Sequence, residues 1–272
     1  MIPETLFDNA HYANVRRTLL EASTLPPWCY TSNRFHEREL QRIFLKCWQF
    51  VGREDEIPTT GDYLTFTGSG GPVIIIRGED GSLRAFYNAC RHRGTQLLSG
   101  QGQVQKIICP YHSWVYSIDG TLQRAPGMEN VLDFATDTHG LGRLRLDTWA
   151  GFVFISYASQ GMSLSEYLGN MPKFFSAYRP ADLVCVKRTE YVVQCNWKLL
   201  IENALEAYHT GTVHASTLGR QQARRVDCKG HWVALFGYVE NTDTMAVLPG
   251  HSTSLPHIPG LTGDQTRGTY FT

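Results

Sequence analysis

The alternation of apolar and polar positions changes period along the chain. Residues 9 to 24 and 36 to 50 carry apolar side chains at helical spacing, with Phe35, Leu40, Ile43, Phe44 and Trp48 forming a stripe between charged neighbours. That spacing predicts two amphipathic helices. Leu25-Pro26-Pro27-Trp28 between them reads as an extended connector, because proline lacks an N–H and restricts the residue before it. From about residue 60 the period shortens to that of strands, at 62–67, 72–77, 83–87, 104–108 and 114–117. Asp80-Gly81 and Asp119-Gly120 are tight-turn signals between them. The stretch Gly68 to Gly71 reads as a hairpin loop, since no helix follows it to cradle a phosphate. Residues 60 to 125 are therefore expected to form a small antiparallel β domain. Residues 150–156 add one more buried strand, and a helical pattern begins near Leu164.

With 272 residues the chain is long enough for about two domains and a substantial core. Lys plus Arg and Asp plus Glu each total 25, so the formal charge is balanced and a nucleic-acid-binding surface is not expected. No apolar run approaches the roughly 18 residues that a membrane span requires. The amino-terminal MIPETLFDNAHYANVRR has no apolar stretch of signal-peptide type, so the expected compartment is the cytosol. Seven cysteines at irregular spacings argue against a disulfide framework.

Two of these cysteines have informative neighbours. Cys90-Arg-His92 and Cys109-Pro-Tyr-His112 each follow a predicted strand, so two loops can bring two thiolates and two imidazoles to one place. Sulfur and nitrogen donors suit zinc or an iron–sulfur cluster. A zinc finger commonly pairs Cys with Cys and His with His, whereas both pairs here are mixed. Mixed pairs let each loop give a thiolate to one iron and an imidazole to another, the Rieske [2Fe–2S] arrangement. Through Cys90-Arg-His92-Arg-Gly94 and Cys109-Pro-Tyr-His112-Ser-Trp114 the sequence resembles the Rieske family.

A second group lies about a hundred residues downstream. On a helical wheel over residues 196–209, Trp197, Ile201, Ala204, Leu205 and Tyr208 share one face, with Glu202, Asn203, Glu206 and His209 opposite. Glu206 and His209, three apart, are expected to be neighbours. His214 is five positions beyond His209, so a break at Thr210-Gly211-Thr212 is expected to let the two imidazoles converge. Two imidazoles and a carboxylate form the facial triad of mononuclear non-haem iron. The run Asn196-Trp-Lys, Glu202-Asn203, Glu206, Tyr208-His209 and Val213-His214-Ala-Ser216 resembles the catalytic motif of Rieske non-haem iron oxygenases.

That resemblance implies an α+β fold, with a Rieske-type antiparallel β domain inserted into a helix-grip catalytic domain. It implies amino-terminal helices over 1–45, a Rieske domain over 46–160 and a catalytic domain over 161–272. Cys90, His92, Cys109 and His112 would hold the [2Fe–2S] cluster, and His209 and His214 would ligate mononuclear Fe(II). Glu206 would bridge the iron's histidine to the Rieske histidine of a neighbouring subunit, and Asn203 would lie near the iron. The implied protein is an oxygenase component, a homotrimer that takes electrons from a reductase or ferredoxin and uses O2 on a small organic substrate. His214-Ala215-Ser216 resembles enzymes acting on aromatic rings, the expected substrate, whereas Glu206 in place of aspartate resembles enzymes of quaternary ammonium compounds. The family's carboxylate ligand lies well downstream of its histidines, so the third ligand is expected beyond Thr272. Two rivals of other classes are a Rieske electron carrier without oxygenase activity and a zinc-binding module.

Overall fold

The computed structural model describes residues 3–239, 256, 258–261 and 263–272. The chain forms two units, one of residues 36–164 and 181–188, the other of residues 1–35, 165–180 and 189–272.

The first unit is built on ten strands: β1 (Gln49–Arg53), β2 (Asp62–Gly68), β3 (Gly71–Arg77), β4 (Leu83–Tyr87), β5 (Gln101–Gln103), β6 (Lys106–Ile108), β7 (Val115–Ser117), β8 (Leu122–Arg124), β9 (Arg143–Trp149) and β10 (Phe152–Ser156). They make a seven-stranded sheet in the order β1-β10-β9-β4-β3-β2-β5 and a three-stranded sheet in the order β6-β7-β8. Every pairing is antiparallel.

β3 shows why a continuous apolar run suits an interior strand of the sheet. Its period of two sends Ile74 and Ile76 into one core with Phe86, Ile107, Trp114 and Tyr116, while Val73 and Ile75 enter another with Val51, Leu64, Val153 and Ile155. Both faces are buried, so no polar residue alternates. Gly68 pairs with Gly71 across the β2–β3 hairpin, as the turn chemistry predicts. Gly120 is required twice over: its φ is +89°, and a Cβ there would lie 2.4 Å from the Phe86 ring.

The amino-terminal helices differ from expectation. Over residues 9 to 24 the regular helix is one 3-10 turn, Asn9–Tyr12, and Leu19 and Leu20 are 85% and 98% exposed. A stripe with nothing to pack against does not stabilise a short helix. The second helix runs Asn33–Glu39 and continues as a π turn, Leu40–Phe44. Gln49 and Phe50 leave the helical pattern because β1 pairs with β10, Gln49 opposite Ile155 and Phe50 opposite Phe154. Strand pairing outweighs local periodicity here.

The second unit carries the antiparallel sheet β11 (Gln222–Arg225), β12 (Leu235–Tyr238) and β13 (Gly268–Phe271), together with helices Trp197–Ala204 and Thr210–Val213. Phe175, Phe236 and Tyr270 pack ring to ring against this sheet. The proline- and glycine-rich stretch 248–260 falls largely outside the described residues.

Candidate functional site

In the first unit, the two Cys/His loops are built alike. Cys90 N–H donates to Thr95 O at 2.8 Å and Gly94 N–H to Cys90 O at 2.8 Å; Cys109 N–H donates to Trp114 O at 2.8 Å and Ser113 N–H to Cys109 O at 3.0 Å. In each loop the cysteine N–H thus donates to the carbonyl five residues on and the cysteine carbonyl accepts from the amide four residues on, and each turns on a left-handed residue, Gly94 at φ +71° and Ser113 at φ +58°. Equivalent loops aim equivalent cysteines. Both are buried, at 3% and 2% exposure, while His92 and His112 are half-buried above them. The Nδ1 atoms of the two imidazoles face each other at 3.1 Å. Burial first, and then His112 and Arg93, hold His92 below the usual imidazole range.

Residues beyond the expected four fix this geometry. Asn88, 1% exposed, accepts from Leu97 N–H at 2.9 Å and Leu98 N–H at 3.0 Å and donates to Leu98 O at 2.7 Å. It therefore ties together the two ends of the first loop. Its only sequence signal is a polar residue ending the apolar strand β4. Tyr116 Oη accepts from Arg91 N–H at 3.0 Å and lies 3.3 Å from Cys90 Sγ. With the amide donating to the oxygen, the hydroxyl hydrogen is left for the sulfur. Burial, then the bond to Cys90, pushes the Tyr116 phenol well up. Trp114 lies flat on His92, 5.0 Å between centroids and 7° between planes. Its buried Nε1 has no hydrogen-bond partner among the described residues. Two sulfur donors inside, two imidazoles at the rim and a shielding indole fit a cluster with a buried and a half-exposed end.

In the second unit, the helix Trp197–Ala204 stops earlier than the wheel implies, and its C-cap is Leu205. Glu206 and His209 are therefore not on one continuous helix, yet the turn brings them together: Glu206 Oε1 meets His209 Nδ1, and Glu206 Oε2 takes the Tyr208 and His209 amides. The hydrogen bond from His209, ahead of the desolvation that opposes it, holds the Glu206 carboxyl below its ordinary range. Thr210-Gly211-Thr212, expected as the break, lies in a helical turn, Thr210–Val213; the break is at 205–209. The outcome still puts the two imidazoles close, with ring centroids 5.3 Å apart. With His209 Nδ1 on the carboxylate, Nε2 is the nitrogen left for a metal. Asn203 is exposed in the helix's last turn.

The expected apolar face is not the buried one, since Ile201 and Tyr208 are 44% and 97% exposed while Lys198 is buried. Among the described residues no three His, Cys, Asp or Glu side chains form a ready metal cage. Of the aspartates after His214, Asp264 pairs with Arg224 and Arg267, and Asp243 lies outside the described residues. Two imidazoles with a carboxylate behind one of them fit part of a mononuclear iron site.

The comparisons with known proteins agree with both halves of this picture. Residues 47–138 match the Rieske [2Fe-2S] domain family, and residues 180–272 match the ring hydroxylating alpha subunit (catalytic domain) family. The chain belongs to the Rieske non-haem iron oxygenase alpha-subunit family. It is 36% identical over 228 residues to the carnitine monooxygenase oxygenase subunit of Escherichia coli, covering 82% of this chain and 61% of that protein. It is 37% identical over 196 residues to the glycine betaine monooxygenase oxygenase subunit of Chromohalobacter salexigens, covering 72% of this chain and 44% of that protein. The apo crystal structure of a quaternary ammonium Rieske monooxygenase superposes with a TM-score of 0.72 at 31% identity, over 82% of this chain and 69% of that one. The chain thus spans less than two thirds of the length of these curated relatives. These relatives are named for carnitine and glycine betaine, quaternary ammonium compounds like those of the alternative that Glu206 carries, and not for aromatic substrates. Among the described residues no helix is long and apolar enough to cross a membrane.

Proposed function

We propose that this chain is the oxygenase component of a Rieske non-haem iron system that monooxygenates a quaternary ammonium compound. Cys90, His92, Cys109 and His112 hold a [2Fe–2S] cluster, and His209 and His214 hold mononuclear iron. The catalytic domain is of the helix-grip kind with the Rieske domain inserted, and the assembly is a homotrimer fed by a reductase or ferredoxin. When bound, the metal centres supply one-electron storage and dioxygen activation. The residues do the rest. Buried Cys90 and Cys109 anchor one end of the cluster away from water. The half-exposed His92 and His112 put the other end where a partner protein reaches it. Glu206 fixes His209 in the tautomer that leaves Nε2 free.

The observation that carries this reading is the pair of facing imidazoles, Nδ1 to Nδ1 at 3.1 Å, on two equivalently closed cysteine loops. The substrate class rests on the relatives' names, carnitine and glycine betaine. The test is reductant-dependent oxygen uptake by the purified protein with a donor reductase. Carnitine, glycine betaine or choline is expected to stimulate uptake with formation of an oxidised product. Stimulation by an aromatic hydrocarbon and by none of the three would overturn the substrate class.

One observation favours the electron-carrier reading: Glu206, the carboxylate beside His209, is taken up by His209 Nδ1 and by the Tyr208 and His209 amides. Iron analysis separates the two. A carrier holds only the iron of its cluster, and an oxygenase holds one iron more per chain.

A further inference from the structure

The helix Trp197–Ala204 buries the wrong residue for an amphipathic helix. Lys198 is 7% exposed, whereas the three apolar residues after it are about half exposed. The Lys198 ammonium lies 5.3 Å from the ring centroids of Tyr30, Phe35 and Trp197. Three aromatic faces around one desolvated cation make the strongest form of cation–π contact. The same Tyr30 is gripped from two further positions. Its hydroxyl donates to Glu202 at 2.7 Å, and its carbonyl accepts from Asn196 Nδ2 at 3.1 Å. Asn196 is in turn the helix N-cap, accepting from Lys198 N–H at 3.1 Å. Burial and the Glu202 bond push the Tyr30 phenol up to about 12, so the hydroxyl stays a donor throughout the physiological range. Lys198 and Glu202, four apart, thus bracket Tyr30 by its face and its hydroxyl.

This clamp has a consequence downstream. Glu206 lies two residues past Ala204, the helix's last residue, and His209 is tied to Glu206. Rotation of the helix about its axis therefore moves the carboxylate that orients His209. We propose that Lys198 is a positioning residue: seated among Tyr30, Phe35 and Trp197, its ammonium sets the rotation of the helix and so the placing of Glu206 and His209. This rests on the reading that His209 and His214 bind iron.

The test is Fe(II) affinity, with Co(II) as a spectroscopic stand-in, measured on the full chain with its cluster intact. Lys198→Met is expected to weaken binding roughly tenfold, at the lower end of what outer-shell changes do, with the cluster's visible spectrum unchanged. Lys198→Arg keeps a cation among the rings and is expected to restore affinity. Tyr30→Phe, which keeps the ring and loses only the Glu202 bond, is expected to fall between the two, and it serves if Lys198→Met does not fold. Asn170→Ala, which removes bonds to Lys229 and Trp232 in the same unit, controls for general destabilisation and is expected to leave affinity intact. Equal affinity in Lys198→Met and the parent, or equal loss with Arg and Met, would overturn the proposal. A parent that binds neither metal would instead overturn the iron reading beneath it.

Discussion

The Cys/His loops and the His/His turn use similar side chains, but the backbone holds them very differently. In the first unit each cysteine sits in a loop closed by two backbone hydrogen bonds, at the end of paired strands, over a core of fully buried Phe86, Ile107 and Tyr116. Those loops are held by the backbone bonds at each cysteine and by the core beneath it. In the second unit His209 and His214 flank a single four-residue helical turn, oriented by one carboxylate and by Thr210, whose hydroxyl donates to Ala207 O at 2.8 Å. An electron-storing centre changes little in shape when it works, and a rigid cage suits it. A centre that admits substrate and dioxygen must keep coordination positions open, and a less constrained turn suits that.

The sharpest way to break this comparison is to remove one imidazole from each site. His112→Ala is expected to abolish the cluster and with it all visible absorption. His209→Ala is expected to keep the colour and lose only the additional iron. Iron content and absorption spectra of the two variants decide it, and colour surviving in His112→Ala would remove that histidine from the ligand set. Next in size is the support around each site. Asn88→Ala leaves two buried amides, Leu97 and Leu98, without acceptors, and is expected to cost about 2–3 kcal/mol and to hasten cluster loss. Thr210→Ala, its counterpart beside His209, is expected to cost about 1 kcal/mol. Urea midpoints read the difference, and equal losses would mean that the two sites are equally braced.

How much of this was legible in the sequence follows from the same contrast. The strands around the cluster loops were readable because hairpin pairs with Asp-Gly turns are local, and the ligand spacing is a short-range signal. Asn88 was not, because its role is to bridge residues nine and ten positions away, which nothing in the run Tyr87-Asn88-Ala89 announces. The helix bearing Glu202 and Asn203 was legible as a helix. Its end at Ala204 was not, because Glu206 leaves helical geometry to take the Tyr208 and His209 amides. Its buried side was misread for a similar reason, since a lysine in an aromatic cage counts as polar on any hydropathy scale. The strand at Gln49 was hidden under a helical stripe that only pairing with β10 displaces.

Acid acts on both units, since Glu206 of the second is also held low, but among the described residues more carboxylates are held low in the first. In the first, burial raises Glu56, but hydrogen bonds from Arg188, the Arg53 amide and Gln101 outweigh it and hold the carboxyl below its usual 4.5. Asp55, beside Arg53 and the Cys185 amide, is likewise lowered against burial, and Asp119 is lowered by Ser117 and the Thr121 amide. A carboxylate depressed on folding adds stability that is complete above its unfolded pKa and is lost as pH falls through its folded one. The first unit is therefore expected to weaken steadily below about pH 4.5. Glu56→Gln is expected to cost about 1 kcal/mol at neutral pH and to flatten that decline. Denaturant midpoints between neutral pH and pH 3 measure it, and an unchanged acid slope in the variant would exonerate the carboxylate.

The smallest effect is the most specific to the first site. Tyr116 receives the Arg91 amide at 3.0 Å, which orients its hydroxyl hydrogen toward Cys90 Sγ at 3.3 Å. Reduction adds negative charge to a cluster, so a donor on a ligating sulfur favours the reduced state and raises the potential. Tyr116→Phe keeps the buried ring and removes that donor. If the bond is about 1 kcal/mol stronger in the reduced state, the potential falls by roughly 40 mV for one electron. Redox titration of the visible spectrum reads this directly. A potential unchanged in Tyr116→Phe would mean that the hydroxyl hydrogen lies elsewhere and that Cys90 is tuned by burial alone. The cluster loops would then differ from the His209 turn in rigidity but not in the polarity of their surroundings.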